Sequence, residues 1–203
     1  MSKYDKQNDM AENMPDTDEA SGDSEKNEEG TIRAEVYDWL QSVVVAILAC
    51  ILIFTFAIRH IGVQGDSMNN TLQSKDRVII SNLFYTPKYG DIVVLRKEEF
   101  REEPVIKRVI ATEGQTIDMN FETGQVFVDG KELVEDYIAE PTMRALDFYG
   151  PVTVPEGHVF VMGDNRNHSN DSRDDLLGTV DTRYIMGRLL FRMWPMNAFG
   201  KVD

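Results

Sequence analysis

Hydrophobic and polar positions divide the chain into three zones of different pattern. From Met1 to Gly30 apolar residues are few: Tyr4 is the only aromatic, and neither valine nor isoleucine occurs. Such a stretch buries too little surface to offset the entropy of ordering it, so a disordered, solvated tail is expected over residues 1–35. From Ser42 to Ile58 the chain reads SVVVAILACILIFTFAI, without a charge, glycine or proline. With Trp39, Leu40 and Gln41 the run reaches twenty residues, and such a helix is about 30 Å long, the thickness of a bilayer's hydrocarbon core. Tyr37 and Trp39 at one end, and Arg59 and His60 at the other, suit the two interfaces. The run begins behind an acidic tail rather than a short basic segment, which speaks against a cleavable leader. A transmembrane anchor helix is expected over residues 36–60.

Beyond Ile61 the period changes from helical to strand-like. Short β-rich runs follow at RVIIS (Arg77–Ser81), DIVVL (Asp91–Leu95), VIKRVIAT (Val105–Thr112), QTIDM (Gln115–Met119) and QVFVDGK (Gln125–Lys131). PVTV (Pro151–Val154), HVFVMGD (His158–Asp164) and MGRLLFRM (Met186–Met193) complete the set. Glycines and prolines punctuate them, and Asp129-Gly130 reads as a type I′ hairpin turn. Residues 132–150 are polar and irregular, as expected of a surface loop. The fold class expected is mainly β: an antiparallel β-barrel or sandwich-like domain over residues 61–203 behind one N-terminal transmembrane helix.

Charge and composition narrow the functions. The 203 residues carry a formal charge of −14, which argues against a nucleic-acid partner. Half of that excess lies in residues 1–30, where three lysines face ten acids. The single cysteine, Cys50, excludes a disulfide framework and sits inside the apolar run as a small filler. No His, Cys and carboxylate cluster has metal-ligand spacing, so neither a metal nor a cofactor is expected. The three histidines, His60, His158 and His168, recommend no Ser-His arrangement.

Three polar segments stand out instead. QGDSMNNTL, Gln64 to Leu72, follows the apolar run and reads most simply as a turn between strands. In VIKRVIAT, alternation sets Lys107 on the face of Val105 and Val109, where a lysine either snorkels at a sheet edge or is held desolvated. A serine hydroxyl needs a base, and a lysine serves as one only when burial drives its pKa down. Ser67 and Lys107 therefore form a candidate nucleophile and general base. GDNRNHSNDSR, Gly163 to Arg173, reads either as a long polar turn or as a rigid loop backing that pair, with Asp171 and Arg173 fixing it.

SM-x-x-TL after an apolar span, GDIVVL (Gly90–Leu95), KR-V-I on a strand and GDNR-x-x-S-x-DSR, in that order, resemble the type I signal peptidases, in particular the Gram-positive bacterial type with one N-terminal span. The resemblance covers residues 36–203. It implies a membrane-bound serine endopeptidase that removes signal peptides from secretory preproteins after small, A-x-A-like residues. Ser67 is then the nucleophile and Lys107 the general base; Ser169 orients the lysine, and Asp171 and Arg173 form a structural ion pair. Val63, Leu72 and Ile106 match positions of the substrate pocket. The resemblance also implies a bacterial cell membrane, a single pass with a cytoplasmic N-terminus, an extracytoplasmic catalytic domain and a secretion translocon nearby. Gly65 stands where some members supply a second oxyanion donor from a serine, Asn70 where proline is usual, and Ala111–Gln115 where GLPGD is usual. Three other readings compete with it. A pilin- or sortase-like surface processing enzyme would need a nucleophilic cysteine outside the membrane, and the single cysteine, Cys50, lies inside the apolar run. A self-cleaving repressor of Ser-Lys type would carry a helix-turn-helix pattern, which is missing. A catalytically inactive, membrane-anchored β-domain acting as an envelope adaptor would leave Ser67 and Lys107 apart.

Overall fold

The computed structural model of the chain describes residues 19–56 and 58–202. The chain divides between Ile51 and Leu52 into two compact units. The first is carried by a helix, α1 (Glu19–Phe56), of 38 residues. Its stretch Glu35–Leu52 has a mean hydropathy of 1.7 with none of it buried in the protein, and Val44, Val45, Ile47, Leu48 and Ile51 are all exposed. Residues 19–35, expected from composition to be disordered, are instead helical. Extending an existing helix adds one hydrogen bond per residue without a new nucleation cost. Residues 1–18 of the expected tail lie outside the described residues.

The second unit is built from β1 (Arg59–Gly62), β2 (Arg77–Ser81), β3 (Ile92–Leu95), β4 (Val105–Thr112), β5 (Thr116–Asn120), β6 (Gln125–Val128), β7 (Lys131–Glu132), β8 (Val152–Thr153), β9 (His158–Met162), β10 (Val180–Asp181) and β11 (Ile185–Trp194). Seven form one sheet in the order β1-β2-β11-β3-β4-β9-β10, and four form a second in the order β7-β6-β5-β8. Neighbours run antiparallel throughout both sheets. The domain is mainly β, as expected. β2 and β4 coincide with their sequence runs, and the β6–β7 hairpin turns at Asp129 and Gly130, whose φ values of 52° and 74° suit a type I′ turn. β1 and β10 were not legible: RHIG shows no alternation at the end of an apolar run, and two residues are too few to show a period.

β3 is apolar at every position because both its faces are covered. Ile92 and Val94 join Val63, Met68, Leu72 and Ile106 in one cluster, while Val93 and Leu95 join Val105, Val109 and Val161 in another. A third cluster, around Ile110, Ile117, Val126, Phe148 and Phe160, gathers residues of both sheets. The stretch 132–150 is more than a surface loop. Thr142 and Phe148 are buried, and Glu135 makes a buried ion pair with Arg166. An irregular segment can enter the interior only where its polar groups find partners, and here arginine supplies them.

Candidate active site

The segment after β1 is closed by backbone bonds from Val63 N–H to the Asp76 carbonyl (2.8 Å) and from Lys75 N–H to the Val63 carbonyl (2.9 Å). Between these ends the chain turns tightly, with Asn69 N–H donating to Asp66 and Leu72 N–H to Met68. Met68 and Leu72, 2% and 0% exposed, anchor the turn in the core, each contributing roughly 1.5–3 kcal/mol. That leaves Ser67 half-buried between them and the surface. Gly65 has φ 79°, a left-handed conformation that disfavours a serine there and accounts for the glycine.

Lys107 comes from the middle of β4, which pairs with β3 on one side and β9 on the other. It is therefore not at a sheet edge, and only 3% of it is exposed. Its Nζ is hydrogen-bonded to Ser67 Oγ at 2.9 Å, across forty positions of sequence. Burial pulls the lysine down from 10.5 to about 8; the charges of Arg101 and Arg173 act in the same sense, while Asp171 and Asp164 oppose them. Ser67 and Lys107 sit in a cleft of about 400 Å³ whose lining includes Val63, Ile106, Arg101, Glu103 and His168. Leu72 does not line that cleft: the Met68–Leu72 turn rolls it wholly into the core beneath.

The loop from Gly163 to Arg173 backs the pair. Asn165 donates its N–H to the Ser67 carbonyl (3.0 Å) and its Nδ2 to the Asp66 carbonyl (3.0 Å). Gly163 packs so closely that a Cβ there would overlap the Ser67 carbonyl oxygen and Ser169 Oγ. Asp171 and Arg173 form a fully buried pair, Nε to Oδ1 at 2.8 Å and Nη2 to Oδ2 at 2.9 Å. Burial pushes the Asp171 carboxyl up, but the bonds and charge of Arg173, and the Gly163 N–H, outweigh it and hold the carboxyl below its usual range. Ser169 is buried beside Gly163. Its hydroxyl lies 3.4 Å from the Asn170 carbonyl, and among the described residues it makes no hydrogen bond to Lys107.

Sequence reasoning missed the groups that hold this loop. Arg108 donates to Asp164 through Nε (2.9 Å) and Nη2 (2.7 Å), and Thr71 Oγ1 donates to the same carboxylate. Arg166 takes Glu135 in a two-pronged pair at 2.8 and 2.6 Å. The adjacent KR and DNR residues were visible as charge, but nothing local told which of them is buried.

The chain matches the family model described as signal peptidase, peptidase S26, over residues 36–194. It is 38% identical to a probable signal peptidase I-1 of Synechocystis over 78% of this chain and 82% of the relative. Signal peptidase I S of Bacillus subtilis is 34% identical over 88% of this chain and all of its own length. A solved signal peptidase I from Enterococcus faecalis aligns with 52% of this chain and 97% of its own, at 30% identity and a TM-score of 0.44.

Proposed function

The chain belongs to the signal peptidase S26 family, and from that premise we propose a membrane-anchored endopeptidase that removes signal peptides from secretory preproteins with Ser67 as nucleophile and Lys107 as general base. The observation that carries the residue assignment is the 2.9 Å Oγ–Nζ contact to a lysine that burial brings down to about 8. A neutral Nζ takes the proton as Ser67 Oγ attacks the carbonyl carbon of the scissile bond, and a tetrahedral oxyanion forms. The Ser67 backbone N–H faces the oxyanion, and Gly65 has no hydroxyl to add. The protonated lysine returns its proton to the leaving amine, which frees the mature protein and leaves an acyl ester on Ser67. Water, deprotonated by the same lysine, then attacks the ester, and Ser67 recovers its proton.

Buried Val63 and Ile106 on the cleft wall favour small substrate side chains. Gly62 to Gly65 leads out of β1, an end strand of its sheet, and its backbone can pair with an extended peptide. Leu72 shapes this wall from beneath. Asp171 and Arg173 hold the loop, and Ser169 orients Lys107 once its hydroxyl turns from Asn170. The apolar stretch of α1 suits a single membrane pass, with residues 61–203 on the outer side, near the translocon, where a signal peptide's cleavage site emerges.

The test is incubation of the purified chain, in detergent or lipid, with a preprotein bearing an A-x-A site, beside the Ser67→Ala variant. The expected result is a new N-terminus directly after the second alanine, absent with Ser67→Ala. Cleavage by that variant would remove Ser67 from the chemistry; no cleavage by the folded parent chain would reject the peptidase reading.

A further inference from the structure

The stretch between β7 and β8 sends two side chains against the loop that backs the candidate dyad. Glu135 accepts both Nη atoms of Arg166, with the two side chains 5% and 0% exposed. Tyr137 lays its ring against Arg108, whose guanidinium carbon is 4.1 Å from the ring centre. Its phenol donates to Glu135 Oε1 at 2.8 Å, so one short segment grips both arginines. We propose that Glu135 and Tyr137 are positioning residues that hold the Ser67–Lys107 pair through Arg166 and Arg108. The proposal rests on the dyad reading and adds two residues to it.

Two routes lead from this grip to the reacting atoms. On the first, Arg166 Nε donates to the Gly163 carbonyl at 3.0 Å, and the Arg166 carbonyl accepts from Arg173 Nη2 at 2.7 Å. Gly163 is the residue that abuts both the Ser67 carbonyl and Ser169 Oγ. On the second, Arg108 directly follows Lys107 on β4 and is bound twice to Asp164. Asp164 in turn accepts the hydroxyl of Thr71, four positions after Ser67. Nucleophile and base thus come from separate elements and are set against each other by a shared group of buried charges.

Those charges balance as a set: Arg108, Arg166 and Arg173 against Asp164, Glu135 and Asp171. An arginine that loses its anion inside the protein either carries a large desolvation cost or seeks another partner. The partners within reach of this network are Asp164 and Asp171, which are bound to the other two arginines. Without Glu135 the loop therefore shifts. Without the Tyr137 ring one face of the Arg108 guanidinium opens to water, and its hold on Asp164, the tie between β4 and the loop, loosens. The charged groups around Lys107 are Asp171, Arg101, Arg173 and Asp164, with His168 on the cleft wall. Tyr137→Leu alters none of these charges, so any change in the lysine's titration reports position and hydration.

The experiment measures kcat, KM and the pH midpoint of cleavage for the full chain, Tyr137→Leu, Tyr137→Phe, Glu135→Gln and Lys107→Ala, well below each melting temperature. Tyr137→Leu and Glu135→Gln are expected to lose about tenfold in kcat with KM within about twofold, as misplacement of reacting groups requires. The Tyr137→Leu midpoint is expected to move upward, toward that of a hydrated lysine, and Tyr137→Phe, which keeps the ring, to restore both readouts. A purely structural role lowers the melting temperature and leaves kcat and midpoint unchanged; that result overturns the proposal, as does an effect confined to KM. Should Tyr137→Leu not fold, Glu135→Gln decides by the same kcat and KM criteria. Cleavage by Lys107→Ala would overturn the dyad and this proposal with it. An inactive Lys107→Ala beside unimpaired Tyr137 and Glu135 variants would overturn this proposal alone.

Discussion

At the scale of single residues, Lys107 is the position where the proposed base chemistry and stability oppose each other. Unfolded, it keeps its proton up to 10.5; folded, it releases it near 8. Between these values the unfolded chain binds more protons, so this residue makes stability rise with pH across that window, and below it the cost of burying the cation is felt in full. A shift of this size corresponds to at most about 3 kcal/mol. Lys107→Met is expected to melt higher than the parent at pH 7, with the gain shrinking toward pH 10.5, and to cleave nothing; thermal melts across pH check this. Cleavage by the parent chain is expected to rise with pH around a midpoint near 8, and a profile flat from pH 6 to 10 would contradict it. Gly163 imposes a steric condition in place of an electrostatic one. An added methyl meets the Ser67 carbonyl, which is backbone and cannot swing aside, so Gly163→Ala is expected to reduce kcat about a hundredfold.

At the scale of elements, turn chemistry and register can be separated from catalysis. The β6–β7 turn holds Asp129 and Gly130 at φ 52° and 74°, and Asp129 caps it by accepting Thr116 N–H at 2.8 Å. Gly130→Val is expected to cost about 1–2 kcal/mol of stability with kcat unchanged, because the turn supplies no residue to the cleft; denaturant melts beside kinetics check both halves. This hairpin was legible because the Asp-Gly pair acts locally. β4 was legible as a strand but its lysine was not legible as interior: Val105 to Thr112 looks the same at an edge or in the centre, and only the pairing with β3 and β9 makes Lys107 a buried group. The stretch 132–150 looked like a surface loop because it has no period. Its order comes from Arg166 and from Asn167, whose Oδ1 accepts the N–H groups of Met143 and Arg144, partners more than twenty positions away.

At the scale of the whole molecule, the chain divides between Ile51 and Leu52 into two units, the first carried by a helix with an apolar stretch and the second built of β-strands. Anchoring enzyme and substrate in one bilayer raises their effective concentration without any new contact. A fragment of residues 58–203 is expected to cleave a soluble peptide at a rate close to that of the full chain. On a preprotein inserted in lipid vesicles it is expected to be at least about tenfold slower; equal rates there would deny the helix an anchoring role. The sequence by itself determined the apolar run, most strands of the β unit and, through the ordered motifs around Ser67, Lys107 and Gly163–Arg173, the family. These are properties of neighbouring residues, readable wherever a period or a short motif is complete. Only the tertiary structure decided that Ser67 meets Lys107 across forty positions, that Leu72 lies under the cleft instead of in its wall, and that Glu135 and Tyr137 hold the arginines beside the site. Burial and charge at a site sum over groups brought from distant parts of the chain, and no local pattern carries that sum.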